Sequence, residues 1–290
     1  MKEITDKELK GLLEKELHQK ITFLGKGDSF KFSCDMCGKC CTGDTLNRIL
    51  LRSYDMYNLE KGLRKTALQI INEHCNVYIG DKSGIPVIQL KGEDSGNGIF
   101  RTTVCPFLID NKCSVHEFKP NVCKIFPLGR VGSTNGTKYF LQTVTCGNRN
   151  STSIDTWIPD RDEIDEVFNL ETNLMLALGK KLDLSKLNDY CENTPFARII
   201  KTFYDILIQL LYEFDWSVDF KIQYSFKSQQ VLEAADTVVC IIEAFCKQTD
   251  KITEWDEFVG EVVKSNDYID YKAKRGQDFE SVIATIAGKM

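Results

Sequence analysis

Four cysteines fall within eight residues of this chain, at Cys34, Cys37, Cys40 and Cys41. No other feature restricts the fold so sharply. Thiols this close oxidise readily and are hard to bury unless something binds them. A cation resolves the problem, because it lowers thiol pKa, neutralises the thiolates and cross-links loops that lack regular hydrogen-bond ladders. Further thiols follow at Cys105, Cys113, Cys123 and Cys146, so eight candidate thiolates lie between residues 34 and 146, enough for two four-coordinate sites. The full chain has 290 residues and twelve cysteines, and it opens on the charged stretch MKEITDKELKGLLEKELHQK, which lacks the apolar core of a secretory signal. These features predict a cytoplasmic protein. There thiols stay reduced, so metal or redox chemistry is expected rather than a disulfide scaffold.

Charge and hydropathy exclude other classes. A net charge of −5 and a pI near 5.4 argue against a general nucleic-acid binder, which would carry a basic excess. No run of 18 apolar residues is present, so no membrane-spanning helix is expected. Gly25-Lys-Gly27 falls short of a phosphate loop and reads as a turn before a strand, and neither a Walker A motif nor a full G-x-G-x-x-G occurs. No Ser-His-Asp set, nucleophile elbow or carboxylate pair stands out, so catalytic residues are not assigned.

The chain divides into unlike halves. Fifteen of the 19 glycines precede residue 150, while all three tryptophans follow it. The polar run after Cys146 reads as a connector. The expected fold is therefore α+β, a cysteine-rich metal-binding α+β module over 1–150 followed by an all-α helical region over 151–290. In the module, helical spacing covers 4–20, Ile49–Leu51 reads as a strand, and Ser53 is placed to cap a helix starting near Tyr54. A helix over 65–74, two strands within 76–90 and further strands over 98–104 and 138–145 complete it. The second region shows amphipathic stretches over 160–178, 195–214, 229–246 and 253–288. It is expected to offer a packing, homodimer or protein-partner surface.

Two metals compete for the thiols. C-x2-C-x2-C over Cys34–Cys40 matches three ligands of a ferredoxin-type iron–sulfur loop, [4Fe-4S] in type, with Cys105-Pro106 as a candidate remote ligand. Alternatively, Cys34-Asp-Met-Cys37-Gly forms one knuckle of a four-cysteine zinc site, completed by a pair such as Cys113 and Cys123. Adjacent residues seldom ligate one tetrahedral ion, so Cys40 and Cys41 are expected to serve different centres, or one of them none.

The ordered motifs C-x2-C-G-x-C-C, C-P-F-L and H-x-x-K-P-x-x-C-x-x-F-P resemble the YkgJ-type cysteine-cluster proteins, described as zinc- or iron-chelating. The likeness spans residues 30 to 148. It implies a chelating module using Cys34, Cys37, Cys40, Cys41, Cys105, Cys113 and Cys123, with Cys146 at the end of the span. Lys124 departs from the pattern, where arginine is usual. A more distant likeness is to the flagellin lysine methylases. Three functions follow: an iron–sulfur protein with a redox, cluster-carrier or enzyme-supporting role; a zinc-stabilised interaction module without catalysis; and a protein lysine methyltransferase-like enzyme.

Other residues have plainer readings. His116 is a loop histidine that could ligate, while His18 and His74 are expected in solvent. Cys75, Cys191, Cys240 and Cys246 read as small buried hydrophobes. Lys119, Lys124 and Arg130 are expected to offset thiolate charge, and Asp162, Glu163, Asp165 and Glu166 to mark an exposed helix start.

Overall fold

The computed structural model of the chain describes residues 5–43, 49–80, 83–94, 103–133, 136–182 and 197–248. The fold is α+β, with small antiparallel sheets and helices concentrated after residue 153. Within the described residues two compact units separate. One lies in Met1–Tyr78, Val87–Met175 and Tyr212–Tyr224, the other in Ile79–Pro86, Leu176–Leu211 and Ser225–Met290. Among the described residues, no helix is long and apolar enough to cross a membrane.

The first unit opens with α1 (Asp6–Leu17). Its start is fixed by a capping box, in which Thr5 and Glu8 exchange hydrogen bonds between side chain and backbone. Next come β1 (Phe23–Leu24) and β2 (Ser29–Ser33), and β2 alternates so that Phe30 and Phe32 face inward. After β3 (Leu50–Leu51) runs α2 (Ser53–Leu63). Ser53 is not the cap. The Arg52 N–H donates to the Asp55 carboxylate at 3.0 Å, so the helix begins one residue earlier than its serine advertises. Thr66 and Gln69 form the capping box of α3 (Ala67–His74), which fills the helix expected over 65–74. β4 (Cys75–Ile79) and β5 (Pro86–Leu90) follow, and β3 lies antiparallel to β5.

Two-residue strands dominate the central loops: β6 (Glu93–Asp94) with β7 (Thr103–Val104), and β8 (Leu108–Ile109) with β9 (Lys112–Cys113). Of the strand expected over 98–104, residues 98–102 lie outside the described residues. A short helix α4 (Asn121–Ile125) leads into the hairpin β10 (Leu128–Ser133) and β11 (Gly136–Leu141), onto which β1 adds as a third strand. The polar run after Cys146 is β12 (Asn148–Ser153), not a connector. Its backbone pairs with β2, so the ladder rather than side-chain hydrophobicity holds it. Next are α5 (Ile154–Trp157) and α6 (Arg161–Lys181).

Phe30, Phe32, Ile125, Leu128, Tyr139, Ile154, Ile158 and Ile164 form the core beneath these strands, with Trp157, Phe126 and Cys146 packed against it. Trp157 meets Phe30 and Phe32 edge-on at 6.0 and 5.5 Å, the favoured arrangement of aromatic quadrupoles.

Helices make up most of the second unit: α7 (Ala197–Tyr212) and α8 (Phe220–Gln248), whose ends reach the unit boundary. Ile199, Ile200, Phe203, Leu207 and Leu211 bury the stripe read from the sequence, and Val231, Ala235 and Val238 bury that of α8. α8 starts nine residues before the predicted 229. The amphipathic stretch over 253–288 lies outside the described residues.

One close approach yields a direct test. Gly129 pairs with Phe140 across β10 and β11, and a Cβ on Gly129 would stand 2.3 Å from the Phe140 ring. Gly129→Ala is expected to lower unfolding free energy by about 1–3 kcal/mol, the usual cost of overpacking. Urea denaturation reads it as a lower midpoint with unchanged slope, and Phe140→Leu in the same background should recover part of the loss.

Candidate metal centre

Eight cysteines reach the first unit's cluster region from four stretches of chain. Cys34 follows directly after β2, and its sulfur accepts the Met36 N–H at 3.3 Å. Cys37 N–H donates to Asp35 Oδ1 at 3.3 Å, and Gly38 turns the chain back with φ 72°. A single 3-10 turn, Lys39–Cys41, then carries Cys40 and Cys41, whose sulfurs are 3.8 Å apart.

Cys41 is held against a distant segment. Thr42 bridges Val104, and the Cys105 N–H donates to the Cys41 carbonyl at 2.8 Å. The β8–β9 hairpin then folds back, with Leu108 N–H bonded to the Cys105 carbonyl at 2.9 Å and Leu108 paired with Cys113. Cys123 lies in α4. Cys146 precedes Gly147, whose φ of +75° and contact with β2 leave no room for a side chain: a Cβ would stand 2.8 Å from the Ser33 carbonyl.

All eight are reduced, and Cys34 and Cys37 are exposed. Cys105 is buried, and the other five are partly covered. Among the described residues, no three His, Cys, Asp or Glu side chains already surround a common point as ligands. The thiols are gathered but not closed.

Electrostatics explain why a cation suits them. Cys40 hands its proton toward Cys41, which pushes its thiol pKa far up, with burial adding to the rise. Cys41 in turn donates to Cys105 and is pushed up to about 11. Cys105 accepts that bond, which holds its thiol below the ordinary range. Burial raises Cys123 strongly, and the negative charges of Asp55, Cys41, Cys40 and Cys113 raise it further. Cys146 is raised by burial, then by the charges of Cys37, Cys40, Asp35 and Cys34. Cys40, Cys41, Cys123 and Cys146 are thus all shifted toward the protonated thiol, the direction a bound cation would reverse. Soft thiolates in this number suit zinc or iron.

α4 owes its position to residues the sequence reading overlooked. Asp55 is 3% exposed; one oxygen accepts the Asn121 N–H at 2.7 Å and the other the Arg52 N–H at 3.0 Å. One carboxylate thus caps both α2 and the helix carrying Cys123. Glu171 from α6 accepts the Tyr54 N–H at 3.0 Å and Arg52 Nη1 at 3.1 Å. Arg52 and Arg130 each place a guanidinium on the Phe168 ring, at 4.5 and 4.1 Å. A signal for Glu171 existed, since it falls in register with Ile164, Val167, Leu174 and Leu178 on the buried stripe of α6.

Several minor readings change. Lys124 pairs with Asp160 at 3.4 Å and Arg130 serves Phe168 and the Ile164 carbonyl, which leaves Lys119 as the cation acting on Cys40. His116 is exposed on a 3-10 turn. His74 is not in open solvent; its ring meets Phe107 edge-on at 4.9 Å. Asp165 is only partly exposed, and it accepts the Tyr139 hydroxyl at 2.5 Å. Cys75 is buried as expected, with its thiol pushed up to about 12 by burial. Cys240 is exposed instead. Cys191 and the Cys246 side chain lie outside the described residues.

Residues 33–147 match the family model CxxCxxCC, whose description is "Putative zinc- or iron-chelating domain". No curated protein and no solved structure matches the chain. The likeness to flagellin lysine methylases thus gains no support.

The buried acids set a pH dependence. Burial lifts Glu171 from the ordinary 4.5 to about 7, and Asp55 is raised in the same direction. The folded chain holds these protons more tightly than the unfolded one. The Glu171 contribution is therefore complete below about pH 4.5 and lost as pH rises through about 7, and Asp55 acts in the same direction. Urea unfolding across this window should show stability falling with pH, with a shallower fall in Glu171→Gln. An identical slope in the variant would remove Glu171 as the source.

Proposed function

We propose that this metal-chelating cysteine domain holds an iron–sulfur centre of the [4Fe-4S] type, drawing on Cys34, Cys37, Cys40, Cys41, Cys105, Cys113, Cys123 and Cys146. The protein then works in electron transfer, cluster carriage or support of a partner enzyme. One observation carries the reading: reduced thiols far apart in sequence are drawn together, with the Cys41 backbone bonded to Cys105 across 63 intervening residues. The C-x2-C-x2-C loop adds the ligand spacing of such centres. Bound metal supplies the positive charge that lets the buried thiols ionise.

Zinc is the second reading, favoured by the turn at Cys34–Gly38. Its N–H···S bond at 3.3 Å and positive-φ glycine make a tight knuckle of the kind that grips a single ion. The domain would then be a zinc-stabilised interaction module, with the metal contributing on the order of 10 kcal/mol to folding.

Anaerobic purification, an absorption spectrum and elemental analysis separate the two. A brown protein with a band at about 400 nm and stoichiometric iron and sulfide is expected. Colourless protein holding zinc would leave only the second reading. Cys37→Ala should release metal and lower the thermal midpoint in either case; unchanged metal content would reject the ligand assignment.

A further inference from the structure

We infer that the eight thiols form two separate four-thiolate centres, one from Cys34, Cys37, Cys40 and Cys146 and one from Cys41, Cys105, Cys113 and Cys123. The inference rests on the chelating reading and deepens it, because it assigns ligands and number.

The first group is assembled by the β2–β12 ladder. Asn148 pairs with Ser33, so Cys34, one residue beyond Ser33, lies beside the Cys146–Gly147 turn. Gly147 presses its backbone onto Ser33, which brings the two cysteines to the same end of the ladder. Cys37 follows on the turn closed by the Met36 N–H to Cys34 Sγ bond. Cys40 repeats the three-residue step, the spacing at which one loop can bring three thiolates to a single centre. Cys37 and Cys40 also lie within electrostatic reach of Cys146.

A different ladder assembles the second group. The Thr42–Val104 bridge and the Cys105 N–H to Cys41 O bond join Cys41 to Cys105. The β8–β9 hairpin returns Cys113 to them. Cys123, clamped through Asn121 by Asp55, is within electrostatic reach of Cys41 and Cys113.

The adjacent pair is the point of division. Successive residues of a 3-10 turn start about 120° apart around its axis, and the Cys40 and Cys41 sulfurs come within 3.8 Å, so this pair is where the two groups adjoin. Cys40 is in reach of Cys123 as well as Cys146, and the C-x2-C-x2-C step assigns it to the first group. Four thiolates per centre use all eight and strand none. A single centre would leave four thiols gathered for no purpose.

The test loads the metal-free, reduced full-length chain with cadmium-113 alone and reads native mass and cadmium NMR. Two ions per chain and two resonances are expected. Cys34→Ser/Cys146→Ser should keep one ion and one resonance, and Cys105→Ser/Cys113→Ser should keep one ion and the other resonance. If a double variant does not fold, the wild-type ion and resonance count still decides, with Cys40→Ser and Cys41→Ser perturbing different lines. One ion per wild-type chain, or both double variants losing the same line, overturns the division while leaving chelation intact. Two lines split by cadmium–cadmium coupling would show thiolates shared between ions, and also overturn it. No bound cadmium would remove the chelating reading itself.

Discussion

Two buried carboxylates and one arginine organise the first unit. The start of α2 exposes backbone donors inside the protein, and a buried donor without an acceptor is costly. Asp55 answers from within the helix and Glu171 from α6, while Arg52 lies between them. Asp55 has a second oxygen, and it is spent on α4. Three helices are thereby set against each other by groups that cannot be moved singly. Buried charges persist only when nearly every lone pair is bonded, so this arrangement favours one geometry over its neighbours more than it adds raw stability. The Phe168 ring takes two guanidiniums on its surface, which keeps Arg52 and Arg130 oriented without further carboxylates.

Metal binding and folding are linked through the same elements. Among the described residues between 93 and 113 the strands are two residues long, too short to stand alone. What gathers them is the short ladder at Thr42–Val104 and the thiols themselves. A cation that replaces thiol protons converts a chain of weak S–H contacts into bonds of fixed length. Cys34 and Cys37 stand exposed to solvent, while Cys105 is buried.

Much of this was legible in the sequence, and the reasons for the gaps are specific. Repeating apolar spacing marks α3, α6 and α7 because each buries one stripe, whereas α1 carries the spacing with none of its residues buried. The Thr66–Gln69 box is a local signal that the sequence reading overlooked, although the helix it starts is the one expected over 65–74. Ser53 misleads because a competing acceptor, Asp55, takes the capping role from inside the helix. β12 is unreadable from its own residues, since Asn, Arg, Ser and Thr have no apolar alternation; only β2 supplies a reason for it to be extended. Motif spacing names the candidate thiols, whereas nothing local names the residues that support them. Arg52 and Glu171 are 119 positions apart, and nothing local ties them together. Cys240 shows the opposite error, since an apolar helix does not bury every position along it.

The pairing of β2 with β12 has one more consequence. Strand side chains alternate, so a slip of one residue would turn Lys31 and Ser33 into the core and Phe30 and Phe32 out of it. The same slip would move Cys34 by about 3.3 Å along the ladder, away from Cys146. Core packing and thiol spacing therefore accept or reject a register together. A chain paired one step out has lost its aromatic floor and its ligand geometry at once, so the cysteine at the end of β2 acts as a proofreader of the strand that precedes it.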